Sequence, residues 1–300
     1  MLLFSFSALG IVLLVIGHVF HFLFLAKIKK ISLPNESLII NKENLKAVFF
    51  YIISITIFIT ASVYATPSTV GVIFAFFIIL YDLYYFTIIK KSPTLPCLYY
   101  PFLYISLLAI IINVLYSPPS FDNIGLIEVI HLLYSPVGSY LTFFYIFLQI
   151  LFLILSYQDI QIASLLNASL SCASVINLTK LMGNCITLSI RIENQFQFFV
   201  FYPFLLSFII SCIWYFFSIK KVITIEMCGV YRGIFYFSYL VFQISSATLL
   251  YGEPMLLNPI QLGIFLSTAV LLVFSMFAMS CGAWPLFPSS KSRYQPIALL

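Results

Sequence analysis

Apolar residues run along this chain in nine long blocks: 3–26, 47–65, 70–89, 97–116, 140–157, 162–190, 196–217, 229–250 and 259–282. Short polar or basic breaks separate them. An α-helix needs roughly 20 apolar residues to cross the hydrocarbon core of a bilayer. The pattern predicts an all-α, polytopic membrane bundle of about nine transmembrane helices. The sixth block is the least apolar, because it carries Asn167, Asn177, Lys180, Asn184 and a run of serines. Between the fourth and fifth blocks, 121–134 reads as a short amphipathic helix bounded by Pro118, Pro119 and Pro136. It is too short to cross, so the expectation is an interfacial segment lying in the membrane plane. No Gly/Ser-rich linker divides the chain. Residues 1–284 are expected to form one transmembrane domain and 285–300 a short cytoplasmic tail.

The basic residues orient this arrangement. With the N-terminus outside, the breaks after the first, third and seventh blocks and the C-terminal tail face the cytoplasm. Lys27, Lys29, Lys30, Lys42, Lys46, Lys90, Lys91, Lys220, Lys221, Lys291 and Arg293 then all lie inside, and Arg191 alone lies in an outer loop. Cytoplasmic enrichment of Lys and Arg is the strongest orientation signal in membrane proteins. The first block has no positive charge ahead of it and is followed by lysines, which reads as a first span rather than a cleaved signal peptide. A seven-span, receptor-like protein would discard two blocks and break the lysine distribution.

Composition agrees and narrows the classes. Of 300 residues, 8% are charged and 63% hydrophobic, against about 25% and 45–50% in an average soluble domain. Lipid is therefore the expected partner for most of the surface. The net charge of +5 follows from membrane orientation and implies no nucleic-acid partner. Six cysteines show no metal-ligand spacing and read as packing residues. No nucleotide-binding, metalloprotease or nucleophile motif occurs, so an enzyme is not expected and no cofactor is implied.

Candidate chemistry rests on polar residues inside apolar blocks, which are costly there and often functional. Asp82, near the cytoplasmic end of the third block, could ligate a hard cation or carry a proton; it could equally be a carboxylate paired with a base. Lys180 could serve as counter-charge to a mobile acid or an anionic substrate, form an ion pair facing the bundle, or snorkel from a poorly placed helix. Glu226 and Arg232 flank the start of the eighth block and could close a gate or pair at the interface. Asn113, Asn177 and Asn184 could line an ion pathway or bond across helices. His18 and His21, one helical turn apart, could hold a metal, but with no third ligand in view packing is the simpler reading.

The order of several segments resembles the NIPA-type magnesium transporters of the drug/metabolite transporter superfamily. The segment GLIEVIHLLYSPVGSYLTFFYIFLQILFLI (125–154) is similar to that family's amphipathic connector. SVINLTKLMGN (174–184) resembles its small-residue helix, with Lys180 and Gly183 at matching spacing. NQFQFFVFYPFLL (194–206), Lys220, FYFSYLVF (235–242) and LLYGEP (249–254) follow in family order. The chain departs from the pattern at Arg232, where the family often has a proline, and at IIKKSP after the third block, where it commonly has a glutamate. The resemblance implies a carrier of magnesium or another divalent cation in the plasma or an endosomal membrane. The ion would be substrate rather than cofactor, with Asp82 a candidate ligand. A carrier of a small anionic solute from the same superfamily is the alternative, and self-association into a homo-oligomer is left open.

Overall fold

The computed structural model describes residues 2–31, 42–84, 99–116, 125–224, 229–252 and 257–282. They form ten α-helices: α1 (Leu2–Ile31), α2 (Lys42–Tyr64), α3 (Pro67–Tyr84), α4 (Tyr99–Leu115), α5 (Leu126–Tyr134), α6 (Pro136–Tyr157), α7 (Gln161–Arg191), α8 (Phe201–Thr224), α9 (Gly229–Tyr251) and α10 (Pro259–Gly282). No strand occurs among the described residues. Each predicted block contains one helix, and α5 occupies most of the predicted amphipathic segment. The tail at 285–300 lies outside the described residues.

Among the described residues, six stretches are long and apolar enough to cross a membrane: Leu9–Ile28, Asn44–Tyr64, Pro136–Tyr157, Gln161–Arg191, Phe201–Val222 and Pro259–Met279. The architecture is that of an integral membrane protein with several passes.

Within it, polarity is inverted relative to a soluble fold. The least apolar of the six stretches, α7, is the most enclosed, 78% buried against 6% for the apolar α6. Phe143, Phe147, Ile150 and Ile154 of α6 point outward, as expected where hydrocarbon is the solvent. Small residues explain how α7 fits at the centre. Ala163, Ser164, Ala168, Ser169, Ser171 and Ala173 are all buried, and such side chains let helix backbones approach closely in membranes. Around α7 stand α2, α3, α6, α8 and α9, while α1 pairs mainly with α2 and α4 with α10.

Local chemistry sets the corners. Thr66 caps α3: its Oγ1 accepts the Thr69 N–H at 3.3 Å, and Pro67 follows at the first helical position, where a missing N–H costs nothing. The α2–α3 turn is itself buried, with Ala65 and Thr66 enclosed. At the α5–α6 corner the Ser135 Oγ accepts from the Gly138 N–H at 3.0 Å. A Cβ on Gly138 would stand 2.0 Å from the Leu132 carbonyl oxygen, so only glycine permits so tight a corner. Helix α8 begins later than the apolar block suggests. The Asn194 side chain accepts from the Phe196 N–H at 3.0 Å and nucleates a 3₁₀ turn over Gln195–Gln197 first.

The apolar face of α5 is buried through Leu126 and Val129, in a cluster with Leu181, Met182 and Cys185 of α7, Phe201 and Phe208 of α8, and Tyr251 of α9. Its other face, with Ile127, Glu128, His131 and Tyr134, is exposed. That division fits the amphipathic reading.

Candidate functional site

The polar residues of α7 reach three different neighbours. Toward α6 and α8, the Asn167 Oδ1 accepts from Gln149 Nε2 at 3.3 Å and from Trp214 Nε1 at 3.1 Å, and its Nδ2 donates to Ser218 Oγ at 2.9 Å. Toward α9, the Asn177 Oδ1 accepts from Gln243 Nε2 at 3.1 Å, and its Nδ2 donates to Ser246 Oγ at 2.5 Å. The Tyr251 hydroxyl donates to the Asn177 carbonyl at 2.6 Å. Buried amides with this many partners are satisfied, as the absence of water in a bilayer core demands.

Toward α2 lies Lys180, 2% exposed and the one buried charged side chain among the described residues. Its Nζ donates to the Ser62 carbonyl oxygen at 2.6 Å and approaches that of Val63 at 3.4 Å. Both carbonyls belong to the last turn of α2. The last four carbonyls of any helix lack an intrahelical N–H. Here the residue four beyond Val63 is Pro67, which has no N–H to give. The helix macrodipole adds partial negative charge at the same place. Lys180 thus caps the C-terminus of α2 from another helix. These contacts cap a helix end from within the bundle, an arrangement that side-chain patterning alone does not reveal.

Two further contacts fix that geometry. The Ser62 Oγ donates across the interface to the Thr179 carbonyl at 3.1 Å. Gly183, one turn beyond Lys180, faces α2 so closely that a Cβ would lie 2.7 Å from the Ile59 carbonyl oxygen. Lys180 and Gly183 serve one contact: glycine brings the helices together and lysine closes the helix end. Asn184 is also buried on α7.

The other candidates lie elsewhere. Asn113 joins α4 to α10, its Nδ2 donating to the Phe265 carbonyl at 2.9 Å and Thr268 Oγ1 at 3.0 Å. Asp82 falls in α3 and Arg232 in α9, but their side chains, like the whole of Glu226, lie outside the described residues. His18 and His21 are buried. The Nδ1 of His18 lies 2.6 Å from the Leu14 carbonyl, and the Nε2 of His21 lies 3.1 Å from the Tyr215 hydroxyl. Phe58 and Phe74 pack against both rings. This is the packing arrangement. Among the described residues no group of three His, Cys, Asp or Glu side chains could hold a metal ion.

The partners that complete these networks are Gln149, Gln243, Ser246 and Trp214, together with main-chain oxygens of α2. Both glutamines stand inside apolar runs, so a search for polar residues within spans could have found them. Main-chain oxygens leave no trace in side-chain composition. Comparison with known proteins returned no matching family model, no similar curated protein and no similar solved structure.

Proposed function

We propose that the protein is a multi-pass membrane carrier that moves a divalent cation, with magnesium the expected cargo, through the interior organised around α7. The observation that carries this reading is a positive charge held in the enclosed part of the bundle by the Ser62 and Val63 carbonyls. Carbonyl oxygens at the ends of helices are what membrane carriers offer to cations. Mg²⁺ prefers oxygen ligands and keeps several waters, so a few carbonyls and amide oxygens suit it without a dedicated cage. The choice of magnesium rests on the family resemblance. In this reading the chain crosses the bilayer nine times, N-terminus outside and C-terminus in the cytoplasm, and α5 lies at the outer interface.

A second reading, carriage of a small anionic solute, draws on the sign of Lys180. Uptake by the purified protein in liposomes separates them. Influx of Mg²⁺ or another divalent cation, competed by other divalent ions, supports the first. Influx blocked by organic anions and indifferent to divalent ions supports the second. Liposomes as inert as empty ones to both classes remove carriage altogether.

A further inference from the structure

The contacts of Lys180 describe a cation site with its occupant attached. Two main-chain oxygens of the α2 C-terminus converge on one ammonium, at 2.6 and 3.4 Å. The surroundings are built to hold that arrangement: the Ser62 side chain ties α2 to the Thr179 carbonyl, and Gly183 admits the close approach of the helices. Pro67 removes the i+4 N–H that would otherwise reach the Val63 carbonyl. These oxygens are hard donors at the negative end of a helix dipole, which suits a small cation and repels an anion.

We infer that the last turn of α2 is a binding site for a small cation, and that the Lys180 ammonium fills it as a tethered surrogate. An arriving cation would displace the ammonium from the Ser62 and Val63 carbonyls, and after release the ammonium would return. The oxygens then never face the bilayer interior without a charge, which would otherwise be costly. The use of the site in a transport cycle rests on the carrier reading above; the existence of the site does not.

The test uses purified full-length protein and its apparent thermal midpoint, so no uptake is needed. Lys180→Ala empties the site, and Lys180→Met fills the space without charge. Each is compared with the wild type in N-methylglucamine chloride, a cation too bulky to enter. Methylammonium, Na⁺ or Mg²⁺ is then added at constant ionic strength. The expected result is a midpoint for Lys180→Ala about 5 °C or more below wild type, with at least half of the loss recovered saturably by methylammonium or one of the metal ions. The wild type should respond less than Lys180→Ala, because an added cation must first displace the ammonium, and Lys180→Met should not respond. If Lys180→Ala does not survive extraction in N-methylglucamine, extraction in each small cation replaces the midpoint, and folded protein recovered in one of them supports the site. A variant as stable as wild type, a variant that no cation rescues or recovers, or a wild type that responds equally overturns the inference. Rescue together with inert liposomes removes the carrier reading and leaves the site standing.

Discussion

Gly183 on α7 and Ile59 on α2 meet backbone to backbone: a Cβ on the glycine would stand 2.7 Å from the isoleucine carbonyl oxygen and 3.0 Å from the Ser62 hydroxyl. Neither neighbour is the far end of a flexible chain, so the helices themselves must part to admit a methyl group. Gly183→Ala should destabilise the protein by about 1–3 kcal/mol, the usual range for overpacking. Parting the helices also draws the α2 carbonyls away from Lys180. Combined with Lys180→Ala, the glycine change should therefore lose less than the sum of the two alone, because both act on one contact. Apparent midpoints of the two single variants and the double variant check this.

Asn177 and Gln243 form the main polar link between α7 and α9, and they suit a double-mutant cycle. Interhelical hydrogen bonds in membranes couple by about 0.6 kcal/mol on average and up to about 1.7. The Asn177 carboxamide is also engaged by Ser246, so its replacement by alanine should lose more than that of Gln243. The expected coupling lies in the upper half of that range, since both side chains are buried. Equilibrium unfolding of the four proteins in mixed micelles measures it.

Much of this fold is legible in the sequence because hydropathy needs only length and composition to mark a helix. Each of the nine apolar blocks contains a helix, and the least apolar one is the enclosed centre, as its asparagines and lysine require. What sequence could not place is direction. Asn167, Asn177 and Lys180 share one helix, and their spacing says which face each occupies but not which helix stands there. One binds α6 and α8, one α9 and one α2. Lys180 is hardest to read because two of its partners are carbonyl oxygens; Pro67 is a visible clue that a helix ends with oxygens to spare. Asn194 moved the start of α8 because a side-chain cap outweighs hydropathy at a helix end.

Asn113 should behave differently from the α7 residues. It holds α4 to α10 through the Phe265 carbonyl and Thr268 and touches none of the partners of Asn177 or Lys180 described above. Its Oδ1 is buried with no hydrogen-bond partner among the described residues, so removing the amide also removes an unfavourable group. Asn113→Ala should change stability by no more than about 1 kcal/mol and leave cation uptake at the wild-type rate. Its effect on the midpoint should add to that of Asn177→Ala.

The α6–α7 turn places Asp159 in the left-handed region, with φ of 60°. Its carboxylate, 90% exposed, meets Lys221 at 3.0 Å, and so exposed a pair contributes about 0–1 kcal/mol at most. The backbone matters more than the charge. A left-handed residue with a Cβ is strained by roughly 1–2 kcal/mol, and Asp tolerates the region better than most. Asp159→Gly should be near neutral, while Asp159→Val should destabilise by about 1–2 kcal/mol. Asp159→Asn should lie between neutral and the value of the exposed pair. Thermal midpoints of the three variants rank them.

The two ends of the bundle make the orientation testable. Asp159, from the α6–α7 turn, touches Lys221 near the end of α8, so these breaks share one end. At the other end of α7, the Leu126 N–H of α5 donates to Gln195 Oε1 at 3.5 Å, so the start of α5 and the α7–α8 connection lie together. An odd number of crossings with the N-terminus outside puts the first pair in the cytoplasm and the second outside. An epitope inserted at 158–160 should then be reached only after the membrane is opened from the cytoplasmic side. One inserted at 118–120 should be reached from outside in intact cells. The Lys220–Lys221 pair sits on the side the basic residues favour; replacing both with glutamine should weaken that bias and raise the fraction of inverted chains, read by the same two epitopes. Both epitopes reached from the same side would exclude the nine-span arrangement.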